Sequence, residues 1–514
     1  MIDVAGASNS ASERESDAPR MERLVGIGIT WKMAGQIAIQ LVRLLTVAVL
    51  ARFLTPADYG TAAIAIALAM FAPTVADMGI GSALVQAKAA PQMVRSTAFW
   101  ASIGCGLGLF VLLAASAKPL ARFMGEPQVA DMIVAGGLTF AIYSVGSASQ
   151  AVLMRGMRFR GIELRTWLAL LAGSIAAVIA AASGAGAWAL VLQQLVLMTT
   201  LSTLLWWRSG WRPTLEFSGR VFRELASFAI RIAGGRWARL IELLVLSLLI
   251  GRLAGVADLG AWTFAMSMVI LPLSLIAIPI AEVLFSAFSR LREDPERMSA
   301  LWLDSIAYLA AVLLPLLLGL MIVSPDLVPL VFGSRWEVSV HVVQILCVYV
   351  LIRGLQSWGS VYMDAVGRPE VTLWTQLASL CLTPVAVVVG INWGIEGVAA
   401  CFVVAQLIAV EIPMFIIVLS QMQVSRRVLA ARLSGIATAS LVMAISCVFA
   451  RSALEAFGVG MAGRVVLTIT VGIAVYAPAL WWLAPHVSRR VAAACRTRLR
   501  RLIDTRRQRP ALQP

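Results

Sequence analysis

Apolar residues run through this chain in long blocks, separated by short stretches of charge, glycine and proline. The blocks lack two-residue alternation and are too long for strands, so they read as helices. They predict spans near 25–50, 60–86, 97–116, 131–154, 166–182, 187–207, 224–250, 261–288, 301–323, 338–364, 371–390, 397–420, 433–450 and 465–484. A block of about 20 apolar residues is long enough to cross a bilayer as a helix, and a helix satisfies the backbone polar groups that lipid cannot. The expected fold is an all-α polytopic membrane protein with about 14 transmembrane helices.

The pattern is written twice. ARFLTPADYG (51–60) returns as GRLAGVADLG (251–260), with Arg52, Ala57, Asp58 and Gly60 matched by Arg252, Ala257, Asp258 and Gly260. Arg23 and Gly35 match Arg223 and Gly235 at the same spacing, and Gly125, Gly146, Arg160 and Gly186 match Gly333, Gly354, Arg368 and Gly394 further on. The offset spans an even number of helices, which predicts two pseudo-repeated six-helix bundles in the same orientation, a parallel repeat. Two C-terminal helices follow. The domain plan is a disordered polar tail (1–22), a six-helix lobe (23–207), a cytoplasmic linker (208–222), a second six-helix lobe (223–420), two additional helices (421–485) and a basic tail (486–514). The repeated corner is expected to be a tight turn, proline favouring its start and glycine its end, with Arg52 and Asp58 as caps. Its second copy has Gly255 and Val256 in place of Thr55 and Pro56, so its turn geometry should differ.

Composition agrees with spans: hydrophobic residues make up 60% of the 514 and charged residues 13%. The net charge of +15 would fit a nucleic-acid binder, but its distribution is topological. Loops and tails on one side hold 29 of the 42 lysines and arginines. By the positive-inside rule that side is the cytoplasm, with both termini there. The arginines between Arg489 and Arg509 then lie against anionic headgroups at about 1 kcal/mol each, and no nucleic acid is expected. The first twenty residues lack the apolar core of a cleaved signal. Six cysteines are scattered without ligand spacing and only two histidines exist, so neither a metal site nor a hydrolytic triad is expected. No GxxxxGK[ST] loop is present, and no cofactor is expected.

Charged residues within spans are costly and usually face a cavity or a partner. On the first span Lys32, Gln36, Gln40 and Arg43 fall within about 80° of one another at 100° per residue. On the seventh, Arg231, Glu242, Arg239 and Arg236 spread over about 140°. On the tenth, Arg353 shares a face with Tyr349, Gln356 and Ser360. Arginine forks and a lysine point charge suit a pyrophosphate, and glutamine and tyrosine suit sugar hydroxyls. Simpler readings stand beside this one: Arg239 can pair with Glu242, and Lys32 and Arg231 can reach headgroups. Further acids within spans are Asp77, Glu282, Asp304, Asp364 and Glu411. Asp77 and Glu282 either pair with arginines at the cytoplasmic end or carry a coupling ion. Prolines inside spans, among them Pro315, Pro384 and Pro413, predict bends.

LARFLTPADYG, ADMGIGSALVQ (76–86), MRGMRFR (154–160), GAWALVLQQ (186–194) and AVGRPE (365–370), in this order and spacing, resemble the Wzx-type polysaccharide flippases. These belong to the multidrug/oligosaccharidyl-lipid/polysaccharide exporter superfamily, and the likeness covers roughly 21–485. It implies two six-helix bundles in a V around a central cavity, in the bacterial inner membrane. It also implies a flippase, not an enzyme, for a polyprenyl-pyrophosphate-linked oligosaccharide, with membrane lipids and polysaccharide polymerase and export proteins as partners. The expected phosphate and sugar contacts are Lys32, Gln36, Gln40, Arg43, Arg236, Arg239 and Arg353. A lipid II-type flippase shares the pyrophosphate anchor; a drug/cation antiporter of the superfamily would place acids where Lys32 and Arg43 stand. A polymerase or ligase needs a large outward loop, whereas 117–130, 324–337 and 451–464 are short.

Overall fold

A computed structural model of the chain describes residues 35, 38–76, 92–155, 159–208 and 211–485. The chain is an all-α polytopic membrane protein, and no strand forms among the described residues. The helices are α1 (38–53), α2 (Pro56–Ala76), α3 (Gln92–Met124), α4 (Gln128–Arg155), α5 (Phe159–Ala182), α6 (Trp188–Arg208) and α7 (Gly219–Leu253). They continue as α8 (Val256–Arg290), α9 (Pro295–Phe332), α10 (Val340–Val366), α11 (Pro369–Gly390) and α12, in two parts (Gly394–Gln406 and Ile412–Gln421) around a π turn. The last pair is α13 (Arg426–Ala456) and α14 (Met461–Leu483).

Ten helical stretches among the described residues are long and apolar enough to cross a membrane. The sequence predicts more. The first span is described only in part; of the others, the apolar stretch of α2 is short at Pro56–Met70, and charge interrupts α7. α11 and α12 run on as one helical stretch, Glu370–Gln421. Large apolar side chains face outward, Phe449 72% and Ile473 67% exposed, as lipid contact requires.

The described chain forms two compact units, one of residues 1–54 and 61–237, the other of 55–60 and 238–514. In the first unit the linker 208–222 is not a free tether. Trp211 Nε1 donates to Gln92 Oε1 at 2.8 Å, Trp100 Nε1 to the Thr214 carbonyl at 2.9 Å, and the Thr214 amide to Ser96 Oγ at 3.0 Å. Phe99, Trp206 and Trp211 pack as an aromatic group beneath.

The second unit contains residues 55–60 of the first copy of the repeated corner and the whole of the second copy. In the first, Thr55 and Asp58 cap α2 reciprocally: the Thr55 amide and hydroxyl donate to Asp58 at 2.8 and 2.7 Å, and the Asp58 amide to Thr55 Oγ1 at 3.2 Å. This is a capping box with aspartate in the third place, and Pro56 opens the helix with a φ already suited to it. The capping partner of Asp58 is thus Thr55. The second corner cannot build the box, and Gly255 enters α8 at φ 94 instead, without a side-chain cap. The matched glycines explain the repeat. A Cβ on Gly60 would lie 1.6 Å from the Val256 carbonyl oxygen, and one on Gly260 1.7 Å from that of Pro56. Each corner presses its glycine onto the backbone of the other, so neither position admits a side chain. Gly125 and Gly333, and Gly186 and Gly394, are matched pairs in which all four residues have positive φ.

The short outward loops of the sequence reading are shorter still, since α3 and α9 run on to Met124 and Phe332. α13 and α14 pack on the alanine face of α9, where Ala307, Ala310 and Ala311 meet Ile436 and Ala484. Ion pairs clasp α9 to α13 near both ends. Arg432 Nη1 lies 2.9 Å from Asp304, while Asp326, nearly buried, pairs with both Arg451 and Arg464.

Candidate functional site

The polar groups of the second unit converge on α7, α10, α11 and α12. α11 sets Gln376, Ser379 and Thr383 three and four residues apart, on one face. All three donate to the Glu242 carboxylate of α7: Gln376 Nε2 at 2.6 Å, Thr383 Oγ1 at 2.9 Å and Ser379 Oγ at 2.5 Å. Gln406 adds a bond from Nε2 at 2.8 Å and reaches Ser379 Oγ at 2.6 Å. A buried carboxylate is tolerated when donors fill its lone pairs, and four neutral donors surround Glu242 inside the span. Arg239, three residues before it, is not what satisfies it.

Glu411 is held differently. It ends the π turn Leu407–Glu411, two residues before Pro413. That proline lacks the amide an α-helix would need there, and the helix absorbs one extra residue instead. On a regular helix Gln406 and Glu411 would stand about 140° apart; the inserted residue reduces this to about 40°. Glu411 is fully buried, and neither carboxylate oxygen accepts a hydrogen bond. Its ion partner is Arg353 of α10, Nη1 3.8 Å from Oε1. The Arg353 guanidinium also lies over the Tyr349 ring, 5.9 Å from its centroid, and its side chain remains 23% exposed. Arg239 completes the group, within electrostatic reach of Arg353, Tyr349, Glu242 and Glu411. The result is two guanidinium groups against two carboxylates, one saturated with hydrogen-bond donors and the other facing the two cations without a hydrogen bond.

Of the residues nominated by sequence, Arg239 and Arg353 are thus brought together. Gln356 donates to Ser360 at 3.3 Å on the expected face of α10. Gln40, buried, and Arg43, exposed, stand on α1 in the other unit. Lys32, Gln36 and Asp77 lie outside the described residues, as do the side chains of Arg231, Arg236 and Glu282, whose backbones are helical in α7 and α8. The sequence reading gave no role to Gln376, Ser379, Thr383, Gln406 or Glu411. The spacing on α11 was the available signal for three of them.

A charged, hydrogen-bonded cluster carried by spanning helices in a repeated apolar fold is the construction of a membrane transporter. The chain belongs to the family described as "Polysaccharide biosynthesis protein", whose model matches residues 49–341. Among curated relatives it is 26% identical over 401 residues to the lipopolysaccharide biosynthesis protein WzxC of Escherichia coli (strain K12), covering 76% of this chain and 80% of that one. It is also 26% identical over 362 residues to the succinoglycan biosynthesis transport protein ExoT of Rhizobium meliloti (strain 1021), covering 70% and 73%. In fold it resembles the lipid II flippase MurJ in an inward closed conformation, with a TM-score of 0.69 at 13% identity over 87% of this chain and 97% of that one.

Proposed function

We propose that this chain is a flippase for polyprenyl-pyrophosphate-linked oligosaccharide repeat units, moving them from the cytoplasmic to the periplasmic leaflet for exopolysaccharide, capsule or O-antigen synthesis. It works by alternating access in the bacterial inner membrane, with both termini in the cytoplasm, among membrane lipids and beside polymerase and export proteins. It makes and breaks no covalent bond. The observation that carries this reading is the neighbouring pair Arg239 and Arg353, two part-exposed guanidinium groups within spanning helices. In a low-dielectric site each attracts phosphate far more strongly than in water, and the fork geometry allows two bonds per phosphate. Lys32, Gln36, Gln40, Arg43 and Arg236 are assigned contacts of the same kind with phosphate and sugar. Support for the substrate class comes from the family and from relatives named for lipopolysaccharide and succinoglycan biosynthesis.

The test is to delete the gene and extract lipid-linked glycans from sealed inside-out and right-side-out vesicles. Units should accumulate on the cytoplasmic face, with relief by wild type but not by Arg353→Ala or Arg239→Ala. Accumulation of completed units on the periplasmic face would overturn the reading in favour of a polymerase or ligase. Accumulation of lipid II alone would reassign the substrate.

A further inference from the structure

Glu411 is the buried ionisable group that the grip on phosphate leaves unused. It is fully buried, both its oxygens lack a hydrogen bond, and its ion partner is the part-exposed Arg353. Among the described residues its surroundings supply one other cation, Arg239, which the proposed grip also assigns to phosphate. α7 brings Arg239 and Glu242, α10 brings Arg353 and Tyr349, and α11 brings Gln376, Ser379 and Thr383, which are committed to Glu242. On α12 itself Gln406 is committed there too. An anion engaging Arg353 and Arg239 together therefore strands a carboxylate in a dry site. A stranded buried carboxylate does not stay charged when a proton is within reach; it neutralises.

We infer that Glu411 is a resident counter-ion for Arg353 that is displaced by the phosphate of the cargo and takes up a proton as it is displaced. The inference rests on the proposed pyrophosphate grip. The balance is simple: Arg353 exchanges a carboxylate for a phosphate oxygen, and one proton from water converts the freed carboxylate to the acid. On release of the cargo Arg353 returns to Glu411 and the proton leaves. Cargo binding and protonation thus favour each other by linkage. Glu242, held by four neutral donors, fixes α7 against α11 and α12.

The experiment uses the full chain in nanodiscs with farnesyl pyrophosphate as probe, near pH 8, where the probe's own phosphates are already ionised. Calorimetry in two buffers of different ionisation enthalpy reads the protons taken up on binding. Wild type should take up about one proton per probe bound, and Glu411→Gln should bind with none, its affinity no longer falling as pH rises. The wild-type reading stands alone should that variant fail to fold, and Glu411→Ala provides a second substitution. Binding by wild type without proton uptake overturns the counter-ion inference while leaving the phosphate grip intact. So does uptake that persists in both variants. Failure of the wild type to bind the probe overturns the grip and the inference with it.

Discussion

The reciprocal contact between the two corners permits a quantitative test. Replacing Gly60 with alanine places a Cβ 1.6 Å from the Val256 carbonyl oxygen. A carbon and a carbonyl oxygen come no closer than about 3.3 Å, so the two backbones must part by about 1.7 Å. Gly260→Ala demands the same of the opposite side, at 1.7 Å from the Pro56 oxygen. Overpacking of this severity costs about 3 kcal/mol, and part of the loss is dispersion along the opened seam. At about 2 °C per kcal/mol for a unit of this size, the midpoint of thermal unfolding should fall by about 6 °C. Because one separation clears both clashes, the double variant should fall by little more than either single one, a coupling near the full cost of one substitution. Thermal unfolding of detergent-solubilised protein, followed by monodispersity, reads all four corners of this cycle. Single variants within about 1 °C of wild type, or a double variant that falls by the sum, would refute the shared contact.

Three further outcomes follow from the same geometry. Glu242→Leu leaves four donors without their acceptor and should destabilise by about 3–5 kcal/mol, while Glu242→Gln retains part of the network and costs less; equal midpoints would mean the donors do not depend on the charge. Asp326→Asn should loosen α13 and α14 by about 3 kcal/mol, because two arginines lose a nearly buried partner, and hydrogen exchange in Met461–Leu483 should rise; unchanged exchange counts against the clasp. Cysteines placed at Gln423 and Phe457, both exposed, in a cysteine-free background test orientation. An impermeant maleimide should reach position 457 in intact spheroplasts and position 423 only after permeabilisation, and the reverse pattern would invert the topology.

Much of the architecture was legible because lipid and glycine leave strong marks. Long apolar runs can only be helices, and the matched glycines at 125 and 333, 186 and 394 mark turns where positive φ is required. The corner was legible as a repeat but not as a contact, since nothing in either copy says that its glycine presses on the other. The segment 208–222 was legible as a linker, but nothing local to it says that Trp211 and Thr214 find partners in α3, more than a hundred residues earlier. Arg353 was legible from cost alone, a cation where lipid forbids one. Glu411 was visible as an acid within a span but had no assignable face, because the π turn before Pro413 shifts the helical phase by a whole residue. Gln406 and Glu411 look unrelated to any reading that assumes a uniform helix.

The two clasps between α9 and α13 also measure something. Asp304 and Asp326 are 22 residues apart and Arg432 and Arg451 are 19, which at 1.5 Å per residue is about 33 and 29 Å along two parallel helices. The hydrocarbon core of a bilayer is about 30 Å thick. Pinned at both rungs, these helices resist sliding past each other or tilting apart, so they answer a thicker or thinner bilayer as one body. Helix α13 thereby acts as a caliper on α9, its two rungs set about one hydrocarbon thickness apart.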